Sequence, residues 1–137
     1  MLKSIMLPVD LAHEEMLTDA VDAAVAMAKL KKANLTVVGV TSSAPTDVAH
    51  NPKEFEAKLK AFAEKIEKES HIVVRTQSLV DVDVSADLGS VLIKAAEDIG
   101  TDLIVMASHV PGFMEHIFAS NAGYVASHAK CSVYVVR

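Results

Sequence analysis

The chain has 137 residues, is 51% hydrophobic and 23% charged, and carries 18 acidic against 13 basic residues for a formal net charge of −5. A chain of this length and apolar content forms one domain with its own core, which excludes an intrinsically disordered protein. The acidic balance argues against a nucleic-acid-binding protein, because duplex readers carry a basic face that contacts phosphate. We therefore expect a single domain over residues 1–137.

The apolar segments are too short for a membrane protein. The longest uninterrupted ones have five or six residues, whereas a transmembrane helix needs about 20. Pro8 and Asp10 interrupt the first apolar run, so we expect no signal peptide. The lone cysteine, Cys131, has no second cysteine with which to form an internal disulfide, as is usual in a reducing compartment. We expect a cytoplasmic protein that does not insert into membranes.

Short apolar runs rich in Val and Ile recur along the chain. They are Ile5–Val9, Leu35–Val40, Ile72–Val74, Leu103–Ala107 and Val133–Val136. Most are continuous rather than alternating, which is typical of strands whose two faces are both covered, as in parallel α/β sheets. The runs therefore predict five strands of a largely parallel sheet.

Segments with helical spacing separate these runs. An apolar stripe from Met16 to Ala28 predicts the first helix, and Asn51 followed by Pro52 predicts a capped start for the second. The third helix is expected from about Leu88 to Ile99, ending at Gly100, and the fourth from about Ser120 to Ala129. The alternation predicts an α/β fold, a doubly wound sheet with helices on both faces.

The carboxyl ends of the strands are the expected binding region, since ligands of doubly wound sheets bind there, where the strand order reverses. Asp10 follows the first strand. Its carboxylate is suited to accept hydrogen bonds from ribose hydroxyls or to bind Mg²⁺. The alternative is an Asx turn that merely leads the chain out of the strand.

A second candidate region joins the fourth strand to the last helix. Ser108 and His109 leave the strand, and Ala119, Ser120 and Asn121 are predicted to open the helix. Unpaired amides at a helix N-terminus can hold phosphate, and small residues let an anion approach the backbone. The alternative is an ordinary Ser/Asn cap.

Other signatures of a site are missing from the sequence. It contains no G-x-x-x-x-G-K-[ST] loop, no G-x-G-x-x-G fingerprint and no G-x-S-x-G elbow. The six histidines lack the spacing of a zinc site, so we expect no tightly bound metal. No residue is marked as a general base, and Cys131 has the character of a small buried residue. Whether the protein is an enzyme stays open.

Three segments resemble the universal stress protein family. They are I-M-L-P-V-D at residues 5–10, D-L-I-V-M-A-S-H at 102–109 and A-S-H-A-K-C-S-V-Y-V-V-R at 126–137. The resemblance implies an adenine nucleotide alpha hydrolase-like fold with strand order 3-2-1-4-5. It also implies a stress-response protein that forms a homodimer through its last strand, here Ser132, Val133, Tyr134, Val135 and Val136.

The ATP-binding members of that family carry the signature G-x2-G-x9-G-[S/T]. Here Ala107, Val110 and Ala119 replace its three glycines, and eight residues rather than nine follow Val110. Ser120 retains the hydroxyl position. The shortened loop, with A-S-H-x-P before S-N-A, resembles the F/G-type subgroup, which includes ATP-binding members.

The resemblance implies an ATP site between the first and fourth strands, with Mg²⁺ as a possible companion ion. Its adenine and ribose pocket is Pro8, Val9, Asp10, Val40 and Met106. Its phosphate-binding set is Ala107, Ser108, His109, Val110, Ala119, Ser120 and Asn121. Two alternatives stay open: a dimeric interaction module that binds no nucleotide, and a slow ATPase or phosphotransferase.

Overall fold

The computed structural model describes the backbone of residues 1–108 and 115–137, and the side chains of residues 1–108 and 121–137. The strands are β1 (Ser4–Pro8), β2 (Asn34–Thr41), β3 (Val74–Val80), β4 (Leu103–Ala107) and β5 (Ser132–Val136). The helices are α1 (Thr18–Lys31), α2 (Pro52–Ser70), α3 (Val84–Ile99) and α4 (Glu115–His128), and a 3₁₀ helix (Leu11–Met16) follows β1. The strands form one parallel sheet in the order β3-β2-β1-β4-β5, which confirms the expected topology.

The core lies on both faces of this sheet. Ile5 and Leu7 of β1 pack on one face with residues of α1 and α2, whereas Met6 packs on the other with residues of α3 and α4. Successive side chains of a strand point to opposite faces. Because both faces are covered, the four buried positions of β1, Ile5 to Pro8, are all apolar, and the continuous run in the sequence follows from that.

Two helix ends agree with the sequence signals. The side chain of Asn51 accepts a hydrogen bond of 2.8 Å from the amide of Glu54, so it caps α2 as expected. Gly100 ends α3 with φ of 76°, the left-handed conformation that favours glycine. These two signals therefore predict where α2 begins and where α3 ends.

The starts of β3 and α3 differ from the expected ones. Strand β3 starts at Val74, where the apolar run ends, and Val73 before it is 75% exposed. As an edge strand paired only with β2, β3 needs fewer apolar residues than a central strand. Helix α3 starts at Val84 rather than Leu88, because the carboxylate of Asp83 caps it by accepting a hydrogen bond of 3.2 Å from a backbone amide.

Helix α4 starts at Glu115, so the expectation that it opens near Ser120 is wrong. Ser and Asn are favoured caps, but they also occur inside helices, where the side chain bonds the backbone of an earlier turn or points to solvent. The S-N pair is therefore an ambiguous sign of a helix start. Among the helices of the described ranges, none is long and apolar enough to cross a membrane.

Candidate functional site

Two adjoining cavities lie at the carboxyl ends of β1 and β2, beside the start of α3. Their volumes are about 150 Å³ and about 390 Å³. Five residues line both of them: Val9, Asp10, Val40, Val84 and Ser85. The two cavities therefore form one crevice at the carboxyl ends of the strands. Its described lining comes from β1, β2, α2, α3 and connecting segments, and not from β4, although the strand order reverses between β1 and β4.

The smaller cavity has mostly apolar walls. Pro8 from β1 and Val38 from β2 contribute one side, and Leu88 and Leu92 from α3 contribute another. Polar groups enter it from Asp10 and Ser85. Apolar walls with a few placed polar groups are usual in pockets for small organic ligands, and they suit a flat ring with a polar edge.

Asp10 stands at the junction of the two cavities and is held by its neighbours. Its Oδ1 accepts a hydrogen bond of 3.0 Å from the amide of Ala12, and its Oδ2 lies 2.9 Å from Nδ1 of His13. An ionised carboxylate can only accept, so the ring nitrogen donates. The turn expected as the alternative is therefore present, and it caps the 3₁₀ helix. The carboxylate still keeps acceptor positions for a ligand, since it has about four.

The mouth of the larger cavity is acidic. Asp10, Asp47 and Asp83 line it, and among the described residues that line either cavity there is no Lys or Arg. Close by, a hydrogen bond and the negative charge of Asp81 raise the pKa of Asp87. A polyphosphate near this mouth needs a counter-ion or donors from elsewhere. Within the described ranges, no group of three or more His, Cys, Asp or Glu is placed to hold a metal.

The structure brings most of the expected adenine and ribose pocket together. Pro8, Val9, Asp10 and Val40 line the crevice. Met106 does not line either cavity; it is 0% exposed and packs in the core on the face covered by α3 and α4. Its contact with a ligand stays a prediction.

The expected phosphate-binding residues are only partly described. Ala107 ends β4 and is buried, and the amide of Ser108 donates a hydrogen bond of 2.9 Å to the carbonyl of Val136, which ties the end of β4 to β5. His109 and Val110 lie outside the described residues. The side chains of Ala119 and Ser120 lie outside them too.

Asn121 lies inside α4 rather than at its start. Only the first four amides of an α-helix lack a partner within the helix, so the amide of Asn121 is not among those that can hold an anion. Its side chain faces α3, because its Oδ1 lies 3.1 Å from the place where a Cβ on Gly89 would be. Phosphate contact by Ser120 and Asn121 stays a prediction.

The α3 side of the crevice was missed by sequence reasoning. Val84, Ser85, Leu88 and Leu92 line it, yet these positions were interpreted only as helix or as the segment before it. The cap at Asp83 was the signal that could have placed the start of α3 at this end of the sheet. The packing of α3 against β1 and β2 is a tertiary contact that periodicity does not reveal.

Another cavity, of about 490 Å³, lies at the other end of the strands, beside the amino ends of β1, β4 and β5. Met1, Thr101, Asp102 and Cys131 are among the residues that line it. Burial raises the pKa of the Cys131 thiol, which keeps it protonated and poorly nucleophilic, in agreement with a packing role. Because this cavity lies away from the carboxyl ends of the strands, the crevice at Asp10 is the better candidate for a ligand site.

Comparisons with known proteins agree with this architecture. The family model of the "Universal stress protein family" matches residues 1–137. Universal stress protein G of Shigella flexneri is 30% identical over 146 aligned positions that cover 100% of both chains. A solved structure of a universal stress protein in complex with cAMP has a TM-score of 0.72 at 17% identity, covering 99% of this chain and 97% of the other.

A second solved structure, of the universal stress protein from Archaeoglobus fulgidus in complex with dAMP, has a TM-score of 0.68 at 19% identity. It covers 98% of each chain. Likeness at these identities shows the fold, whereas the family model and the curated relative span the whole sequence. The chain belongs to the universal stress protein family.

Proposed function

We propose that this protein binds an adenine nucleotide, ATP in the first instance, in the crevice at Asp10 and acts as a dimeric regulator in a stress response. The observation that carries the proposal is the apolar cavity that adjoins a held carboxylate at the carboxyl ends of β1 and β2. Two similar solved structures, named as complexes with cAMP and dAMP, support a ligand of this chemical class.

In this proposal each wall of the crevice contacts one part of the nucleotide. The base occupies the cavity between Val40 and Leu88, and the ribose hydroxyls donate to Asp10. The phosphates extend toward the end of β4, past Ala107. Since the described mouth of the crevice is acidic, Mg²⁺ would offset repulsion between the triphosphate and Asp10, Asp47 and Asp83.

Thermal unfolding of nucleotide-stripped protein tests the proposal. Addition of about 1 mM ATP with Mg²⁺ stabilises the protein by about 2.7 kcal/mol if that concentration is 100 times Kd, which corresponds to a rise in Tm of several degrees. Asp10→Asn keeps an oxygen for the turn but removes the charge, and we expect it to abolish most of the rise. The matched control is Asp22→Asn, which removes the same charge from the exposed face of α1. An equal rise in parent and Asp10→Asn contradicts the site assignment.

A second function is favoured by one observation: α4 starts at Glu115, which places the amide of Asn121 inside the helix. With the three family glycines also absent, the phosphate site lacks features of the ATP-binding signature. In this alternative the protein is a dimeric interaction module without nucleotide. This alternative predicts a stable dimer whose Tm does not change on addition of ATP, AMP or adenosine.

Both functions include a homodimer through β5. This strand pairs with β4 on one side only, and it carries Tyr134 with a 47% exposed side chain. A bare edge strand invites pairing with another chain, and a two-fold axis through this edge would pair it with its own copy. Light scattering coupled to size-exclusion chromatography measures the mass and tests this assembly.

A further inference from the structure

The geometry points to His13 as a positioning residue for nucleotide binding: its ring holds the carboxylate of Asp10 in the orientation that accepts the ribose hydroxyls. This inference rests on the nucleotide site proposed above. It adds a residue that the family motifs in this chain do not mark. It also predicts that the loss of His13 weakens the interaction with the ribose hydroxyls and not the contacts with the base or the phosphates.

The contact between the two side chains is specific. Nδ1 of His13 lies 2.9 Å from Oδ2 of Asp10, and the two side chains are 25% and 30% exposed. At this partial burial a hydrogen bond to a carboxylate is shielded from much of the competition by water, so it is stronger than one at a fully exposed site. The pair is not a chance surface encounter.

The local backbone brings the ring back toward the strand. The amide of His13 donates a hydrogen bond of 3.0 Å to the carbonyl of Asp10, and His13 itself has φ of −134° and ψ of 49°, outside the helical region. The 3₁₀ helix is therefore kinked at this residue. The kink and the amide bond together turn the side chain toward Asp10 rather than into solvent.

Two donors then fix the carboxylate. The amide of Ala12 bonds Oδ1 at 3.0 Å, and the ring of His13 bonds Oδ2. With only one of them, the carboxylate group could rotate about its last torsion, and a ligand would have to order it on binding. Preorganisation of this kind raises affinity by removing that ordering cost. His13 therefore acts on the ligand through Asp10, without touching the ligand itself.

Calorimetric titration with ATP and with 2′,3′-dideoxy-ATP, each with Mg²⁺, tests the inference. The two ligands share base and phosphates, and differ in the ribose hydroxyls that Asp10 accepts. We expect His13→Ala to weaken ATP binding about fivefold or more, the loss of a hydrogen bond to a charged group. It should leave the affinity for the dideoxy ligand unchanged. A purely structural role would weaken both ligands alike.

Two conservative variants of His13 should restore the affinity for ATP to different extents. His13→Asn places an amide N–H near the position of Nδ1, so it should restore most of the affinity for ATP. His13→Gln carries the same amide one methylene further out and should restore less. This pair also serves if His13→Ala fails to fold. His50→Ala is the matched control, because it removes another His–carboxylate pair, with Glu54 at 3.2 Å, on an exposed segment before α2.

The outcomes separate the two proposals. If the parent protein binds neither ligand, the nucleotide site itself is wrong. If the parent binds ATP more tightly than the dideoxy ligand, but His13→Ala weakens both equally or neither, Asp10 serves the ribose without help from His13 and the inference is overturned. Selective loss of ATP affinity with rescue by His13→Asn supports it.

Discussion

Gly39 and Phe55 form a close contact that only glycine allows. A Cβ on Gly39 of β2 would lie 2.8 Å from Cζ of Phe55 and 3.2 Å from Cδ1 of Leu59, both buried side chains of α2. Phe55 also lines the larger of the two crevice cavities. The absent side chain therefore lets α2 lie close to the sheet and sets the position of one wall of the candidate site.

Gly39→Ala should accordingly destabilise the protein. Overpacking a buried contact costs about 1–3 kcal/mol, because the ring of Phe55 and the side chain of Leu59 must shift from their buried positions to admit the added Cβ. Chemical denaturation of the parent and the variant measures the difference. In the Phe55→Leu background the same change should cost clearly less, since the closest atoms have been removed. Equal costs in the two backgrounds would show that the ring does not limit the space.

The hydrogen bonds of Asp102 predict that the stability of the protein depends on pH. Its Oδ2 accepts hydrogen bonds from the amides of Lys3 at 2.9 Å and Ser4 at 3.0 Å, which join the start of β1 to β4. The bond from the Lys3 amide is the main reason that the pKa of Asp102 lies below its ordinary value of 3.8. The carboxylate therefore contributes stability that is present above pH 3.8 and is lost as the pH falls through the lower pKa of the folded state.

The measurement is stability against pH, by denaturation between neutral and acid pH. Asp102→Asn should flatten the decline below pH 3.8, because the group that gains a proton is gone. Lys3→Met is the control: it keeps the backbone amide and should leave most of the decline in place. A decline that disappears in Lys3→Met instead would assign the effect to the side-chain charge rather than to the amide.

The absence of a side chain at Gly89 allows α3 to pack closely against α4. A Cβ at this position would lie 2.5 Å from Cδ1 of Tyr124, whose ring stacks on His128 at a centroid distance of 4.1 Å. Gly89→Ala should destabilise the parent by about 1 kcal/mol or more, since the stacked ring must shift. In the Tyr124→Ala background the cost should be clearly smaller, because only Oδ1 of Asn121, at 3.1 Å, still crowds the added Cβ and Ala favours a helix over Gly by about 1 kcal/mol.

Gly123→Ala is the matched control for that change. Gly123 is a helical glycine on the exposed side of α4, and no atom of the described residues lies within 4 Å of an added Cβ. It should stabilise the protein in both backgrounds by the helix-propensity difference of about 1 kcal/mol. If Gly89→Ala behaves like Gly123→Ala in the parent, the ring of Tyr124 does not hold the helices at their observed separation.

The outer edge of β5 offers a test of the proposed homodimer. The amide of Ser132 bonds the carbonyl of Asp102 and the carbonyl of Val136 accepts from Ser108, so the main-chain groups of alternate residues, Val133 and Val135, point away from β4. Val135→Pro removes an outward N–H without touching the β4 ladder. We expect it to give a folded monomer, whereas Val135→Thr, which keeps the N–H, stays dimeric by light scattering. A dimeric Val135→Pro variant would locate the interface elsewhere.

The sequence predicts most of the fold because its strongest signals are local. Continuous apolar runs mark β1, β2 and β4, whose two faces are both covered, and the Asn51 cap and Gly100 mark helix ends. These local signals fail where the position of an element depends on its packing against other elements. The edge strand β3 needs few apolar residues, so the run at Ile72–Val74 misplaces it.

The candidate site is also predictable from the sequence only in part. Asp10 is recognisable because a carboxylate directly after the first strand has a defined place at the carboxyl end of the sheet, whereas Pro8, Val9 and Val40 are expected as pocket residues from the family resemblance. The contributions of Val84 and Leu88 depend on how α3 lies against the sheet. The bond from His13 depends on a kink inside a 3₁₀ helix, for which the sequence carries no pattern.

The most direct test of nucleotide binding at the Asp10 crevice is an NMR titration of isotope-labelled protein with ATP and Mg²⁺, followed by the backbone amides. We expect the largest shifts at Val9, Asp10, Val40 and Ser85, with little change at Cys131 in the cavity at the other end of the strands. Shifts that cluster around Cys131, or no shifts at millimolar ATP, would contradict the proposed site.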